Sequence, residues 1–260
     1  MTKRYGMWAA AICTAATVGL AGCGSEDSDD AKGKGDKGAL GGLSAQEISK
    51  KARGELSSAS ALRMKADTGS GAAASKMDIA ADNKNNCAGT TSLPTGKGSV
   101  EVVKRGDEVW LKPDADVWTA ATGDPKKGAV AAKAAGDRYL HGKTSETLLK
   151  QMASACDELK TFQKKIAGDN AGDEKLKKGK ETTQDGKRVL PLTAKGEDGT
   201  ETTIYVAAEG RPQLLKIASK QNGKSSTMEF TDYGKPVAVN PPSEKQSMSV
   251  AEFKKAVQKG

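Results

Sequence analysis

The sequence predicts an α+β domain in which a strongly curved antiparallel β-sheet is covered by helices. Three observations carry that prediction. Short runs with a period of two occur before residue 112 and return between residues 190 and 230. Between them, one apolar stripe recurs at steps of three and four, the period of a helix. Turn-forming Gly, Asn and Asp separate the runs closely enough for consecutive strands to pair as hairpins.

The first element is a helix. Ser44-Ala45-Gln46-Glu47 forms a capping box, and Ile48, Ala52 and Leu56 follow on one face. The period then changes to two. Leu62, Met64 and Ala66 alternate with charged residues, and Met77, Ile79 and Ala81 repeat the pattern. Strands over Ser99 to Lys104 and Glu108 to Lys112 are joined by Arg105-Gly106-Asp107. Leu148, Met152, Ala155, Leu159, Phe162 and Ile166 lay one stripe along a single helix of about six turns from Ser145 to Ala167. After a Lys-rich, Gly-broken loop, four pairs mark a meander with one buried face: Leu190 and Leu192, Ile204 and Val206, Leu215 and Ile217, Met228 and Phe230. A second capping box, Ser249-Val250-Ala251-Glu252, opens a short amphipathic helix in the tail, with Val250, Phe253 and Val257 on one face.

The N-terminus identifies a compartment. Lys3 and Arg4 precede an apolar run from Met7 to Leu20, too short to span a bilayer but suited to an export signal. It ends in Leu20-Ala21-Gly22-Cys23, a lipobox, in which small residues open the bond to a peptidase and Cys23 receives the lipid. The expected organisation is a signal peptide over 1–22, a lipidated Cys23 with a Gly/Asp/Lys tether over 23–43, a domain over 44–242 and an extension over 243–260. Losing the signal lowers the formal charge from +8 to +6. The expected location is the outer face of the cell membrane. There Cys87 and Cys156 are the thiols left, and the exterior is oxidising, so they are expected to pair. In the chain-entropy model, closing that loop stabilises a fold by roughly 4 kcal/mol. This helps a domain in which Leu, Ile, Val and Phe make up only about 15% of residues from Ser44 onward, against the roughly 20% at which disorder sets in.

Catalytic constellations are scarce. His141 is the single histidine and reads as a surface residue in a loop, too isolated for a Ser-His-Asp or Cys-His arrangement. One histidine with two bridged cysteines makes no zinc site, and no cofactor motif is present. The lysines between Lys160 and Lys180 are interleaved with acids, and 168–179 holds no aromatic for base stacking, so nucleic acid is not an expected partner.

Taken in order, several segments resemble actinobacterial LolA-like lipoproteins of the LppX/LprG type. These are the lipobox and tether, the first helix, Asn86-Cys87-Ala88-Gly89, the hairpin Gly106-Asp107-Glu108-Val109-Trp110 with Val117-Trp118, and Phe230-Thr231-Asp232-Tyr233-Gly234-Lys235-Pro236-Val237. The resemblance covers most of Ser44 to Pro242. It implies a half-barrel sheet with helices on its concave side and an apolar cavity for acylated lipid. The expected protein is a non-enzymatic monomer, held to the membrane through Cys23. The candidate lining is Leu62, Met64, Met77, Ile79, Leu190, Leu192, Ile204, Val206, Leu215, Ile217, Met228 and Phe230. Alternation alone leaves a second reading open, because the same residues would fill the solid core of a surface-displayed interaction module.

Overall fold

The computed structural model describes residues 40–69, 74–93, 97–168 and 175–259. The expected signal peptide, Cys23 and most of the expected tether lie outside the described residues. Helix α1 (Ala45–Ser58) leads into the strands β1 (Ala61–Thr68), β2 (Ser75–Asp82), β3 (Cys87–Ser92), β4 (Ser99–Arg105) and β5 (Glu108–Pro113). Then come α2 (Ala115–Thr122), α3 (Pro125–Ala135), β6 (Tyr139–Lys143), α4 (Thr147–Met152) and α5 (Ser154–Gly168). The second half holds β7 (Lys177–Lys178), β8 (Thr182–Gln184), β9 (Lys187–Lys195), β10 (Glu201–Ala207), β11 (Leu214–Gln221), β12 (Lys224–Thr231), β13 (Ser247–Ser249) and α6 (Val250–Lys259).

Among the described residues these strands form one curved sheet, in the order β13-β6-β5-β4-β3-β2-β1-β12-β11-β10-β9-β7, with β8 also on β9. The pairing is antiparallel except at the β6 edge, where β13 runs parallel and pairs Met248 with Leu140. Register fixes which residues share a face. Met64 lies opposite Ile79 and Phe230, Ala66 opposite Met77 and Met228, and Ile204 opposite Leu192 and Ile217. This is the inner face, and every helix-facing apolar pair named from the sequence lies on it except one.

The exception is Leu215. The β10–β11 register shifts between Tyr205 and Val206, so Val206 faces Leu214 instead. A bulge of this kind inserts one residue and resets the alternation behind it. Leu214 is therefore buried, while Leu215 turns to a shallow depression with Tyr205 and Lys216.

Both predicted capping boxes form. Ser44 Oγ accepts from the Glu47 amide at 3.2 Å while Glu47 takes the Ser44 amide at 2.8 Å, and Ser249 and Glu252 repeat this at 3.2 and 2.7 Å. Helices α1 and α5 pack on each other, α1 over β10 and β11 and α5 over β2 and β3. Gln163 Nε2 on α5 donates to the Leu56 carbonyl at the end of α1. Cys87 and Cys156 form a disulfide across a Cα–Cα distance of 6.0 Å, tying β3 to α5 as expected. The other end of the sheet is covered by the α2–α3 hairpin and α6, where Trp118 and Phe253 stack at 4.7 Å.

Four expectations need correction. The single helix over Ser145 to Ala167 is two helices, α4 and α5, separated at Ala153. A straight helix of that length would run about 33 Å. Here α4 follows the β5–β6 edge and α5 is held to the central strands by the disulfide, so one axis cannot serve both. Second, α2 and α3 occupy a stretch for which no element was expected. Third, His141 lies in β6 rather than a loop, stacked on Trp110 at 4.5 Å on the outer face. Its Nε2 is buried without a hydrogen-bond partner among the described residues. Fourth, residues just before Ser44 pack on the domain. Leu40 is buried, and Lys178 Nζ donates to the carbonyls of Leu40, Gly41 and Leu43 at 2.8, 3.0 and 3.0 Å. The last residues assigned to the tether thus belong to the domain, and so does the extension, through β13 and α6.

A candidate ligand cavity between sheet and helices

The inner face is closed at one end and open at the other. Around α1 and α5 the interior is packed: Leu62, Ile79, Leu190, Leu192, Val206 and Phe230 are buried in one continuous core, with Ile204 and Ile217 packed against it. Phe162 stacks on Phe230 at 5.5 Å and fills the space beneath the helix. These eight candidates are core. At the ends of β1 to β4, near Thr68, Ser75, Ser92 and Val100, the helices stand off the sheet instead.

That gap has a volume of about 740 Å³, within the usual range for a site that buries a small apolar ligand. Its sheet wall carries Met64, Ala66, Met77, Thr91, Val100 and Met228, and its helix wall Val117, Ala120, Ala121, Leu148, Met152 and Ala155. Of the twelve candidate residues, Met64, Met77 and Met228 reach it. Met152, from the other wall, makes a fourth methionine. Unbranched and polarisable, methionine adapts its shape to an irregular apolar surface.

The opening exists because the wall residues are small. Ala66 on β1 and Ala120 and Ala121 on α2 present a methyl group where a Leu would close the space. Helix α2 was missed in the sequence because its alanines give little amphipathic contrast. Its boundaries were nonetheless marked. Asp114 caps the first turn through the Val117 amide at 3.1 Å, and Gly123, at φ 65°, ends the helix. Asp124 with Pro125 starts α3 in the same way.

Polar groups gather at the rim. Thr68, Ser75, Thr91 and Ser92 come from the strand ends, and Gln151, Ser154 and Glu158 lie along the α4–α5 border. Ser154 and Glu158 are one turn apart on α5 and share its face. A second depression, of about 540 Å³, lies on the outer face and is lined by charge: Lys65, Asp67, Lys76, Asp78 and Glu229. Those charges satisfy one another. Arg63 donates to Asp78 at 2.6 and 2.8 Å, Lys76 lies 3.7 Å from Asp67, and Lys216 holds Glu229 at 2.9 Å. The Arg63 hydrogen bond keeps the Asp78 carboxyl below the usual aspartate range, against the opposing effect of partial burial.

No group of three or more His, Cys, Asp or Glu among the described residues could hold a metal ion. No helix among them is long and apolar enough to cross a membrane. Neither a protein-family model nor a curated protein matches the sequence. Solved structures do. LprF from Mycobacterium bovis superposes with a TM-score of 0.52 at 10% identity, over 76% of this chain and 96% of LprF. The Mycobacterium tuberculosis lipoprotein LppX gives 0.46 at 12%, over 75% of this chain and 98% of LppX. The likeness to LprF shows the fold: a mixed α+β, LolA-like half-barrel, as the sequence resemblance implied.

Proposed function

We propose that this chain is an exported lipoprotein, anchored through Cys23 to the outer face of the cell membrane, whose domain holds an acylated lipid or another apolar ligand. The ligand lies between sheet and helices, bound by a monomer and without chemical turnover. The observation that carries this reading is the 740 Å³ space walled by Met64, Met77, Met152 and Met228 in a domain otherwise packed. Close packing leaves few voids in a protein interior, and this space lies between the sheet and its covering helices, with apolar walls on both sides. The lipobox and the fold shared with LprF support the same reading.

Filling the space tests it. Ala66→Trp and Ala121→Trp place a large ring in the cavity. They should abolish lipid copurification, read by native mass spectrometry of protein taken from its own membrane, and cost less stability than the ~1 to 3 kcal/mol typical of an overpacked core. Val206→Trp is the contrast: Val206 is fully buried in the packed half, and the variant should lose stability first. Wild-type protein that carries no lipid and takes none up would sink the proposal in favour of the interaction module.

A further inference from the structure

We propose that the strand ends beside the cavity form a docking surface for the anionic bilayer that carries the anchor, so that the cavity end of the domain faces the lipid. The inference rests on reading Cys23 as the anchor and deepens it by fixing which end of the domain meets the membrane.

The antiparallel register divides the strand ends into two sets. In one, Thr68 pairs with Ser75 and Ser226, Gln221 with Lys224, and Glu201 with Lys195 and Lys220. Thr68 and Ser75 line the cavity. The other set holds the disulfide and the Arg105–Glu108 pair. The chain enters the domain level with the cavity. Lys178, which holds the carbonyls of Leu40, Gly41 and Leu43, stands opposite Leu192, in the row that continues through Ile204, Ile217 and Met228 to Ala66 on the cavity wall. Helix α1 then runs towards the disulfide end, where its Glu55 meets Arg211 in the β10–β11 turn at 2.7 Å. Sixteen residues separate Cys23 from Leu40. As a coil, that length would span roughly 22 Å, less than the roughly 27 Å of an eight-residue strand. A bilayer holding Cys23 therefore meets the cavity end first.

That end is basic where the chain enters. From β7 to β12 its strand ends and turns carry six lysines, Lys175, Lys177, Lys178, Lys195, Lys220 and Lys224, against three acids, Glu197, Asp198 and Glu201. Lys175 holds Glu197 at 2.9 Å and Lys195 holds Glu201 at 3.4 Å, while Asp198 accepts from Thr200 and Gln221. Lys177, Lys220 and Lys224 form no ion pair among the described residues. The matching ends of β1 to β6 balance, with Lys76, Lys97, Lys112 and Arg138 against Asp67, Asp114, Asp116 and Asp137. On the helices alongside, Glu47 has Lys51 beside it, and Glu158 takes one charge from the surplus without cancelling it. Each lysine held near an anionic surface favours docking about fivefold. Entry point and charge thus select the same end.

The test places a bimane label at Ser225→Cys, on the β11–β12 hairpin, or at Asp107→Cys, on the β4–β5 hairpin, in the full mature chain on phosphatidylglycerol vesicles with nitroxide headgroups. Both positions are exposed, so the labelled chains should melt as the wild type does. Quenching should be several-fold stronger at 225 than at 107. Lys220→Glu combined with Lys224→Glu should lower that contrast several-fold, towards the value on phosphatidylcholine. Equal quenching at the two positions, stronger quenching at 107, or a contrast that survives the charge reversal would each overturn the docking surface. Lipid that still copurifies in that case leaves the cavity reading standing. A contrast as expected in protein that never carries lipid supports the docking surface and sinks the cavity reading instead. Mature chain that stays in water would overturn the anchor and the docking surface together.

Discussion

At Gly89 an added methyl group would meet backbone rather than a movable side chain. The residue lies in β3 opposite Ile79 with φ 149°, and a Cβ built on it would stand 1.9 Å from the Asp78 carbonyl oxygen. Glycine is therefore required twice, for conformation and for the close approach of β2. Gly89→Ala should cost about 2 to 4 kcal/mol, measured by chemical denaturation, whereas Gly106→Ala, with open space around it, should cost less. The Arg63–Asp78 pair makes a prediction about pH. The folded-state pKa of Asp78 lies below its unfolded value, chiefly through the Arg63 hydrogen bond. Its contribution is then fully present above the unfolded aspartate value of about 4 and is lost as pH falls through the folded one. Asp78→Asn should accordingly flatten the loss of stability below about pH 4 and leave the slope between pH 6 and 8 unchanged. An acid limb identical to that of the wild type would show that the pair contributes nothing.

At the scale of elements, the tail is as much part of the fold as the first helix. Strand β13 covers the β6 edge, where unpaired backbone would otherwise be open to another chain. Helix α6 then returns Phe253 to stack on Trp118, with Val250 buried beside it. Phe253→Ala should destabilise the domain by about 3 kcal/mol, in line with other buried Phe truncations, and expose the segment after Pro242 to protease. Cleavage there without loss of thermal stability would mean that the tail is not docked. The break between α4 and α5 has its own consequence. It sets Met152 and Ser154 at the cavity, one on a wall and the other on the rim, whereas a continuous helix would have turned residues two apart to opposite faces.

For the whole molecule, the packed half and the open half divide the work. A thin set of large side chains forms one continuous core that runs from α1, α5 and the disulfide to Trp118 and Phe253 at the other end of the sheet. The Ala- and Met-walled half is then free to stay unfilled. A ligand that binds only the folded state stabilises it by mass action, by about 2.7 kcal/mol at a hundredfold excess over its dissociation constant. Loaded protein should melt several degrees above stripped protein, and Ala121→Trp should remove the difference while keeping the stripped value. A loaded wild type that melts with the stripped form would mean that lipid does not occupy the folded interior.

Local chemistry written in the sequence was enough for the capping boxes at Ser44 and Ser249, the Arg105–Asp107 hairpin, most β-strand faces and the Cys87–Cys156 pair, because each depends on neighbours in the chain or on the two cysteines that follow Cys23. The cavity depended on tertiary structure. Met64 and Leu62 alternate identically along β1 and both belong to the core, yet Met64 also borders the open space and Leu62 does not, since what lies opposite is decided by where α2, α4 and α5 sit. The same holds for Leu215, displaced by a bulge that its own residues do not announce, and for Lys178, whose three carbonyl partners lie more than a hundred residues earlier. Periodicity tells which way a side chain faces. Whether it meets another side chain or a void is settled when distant elements pack.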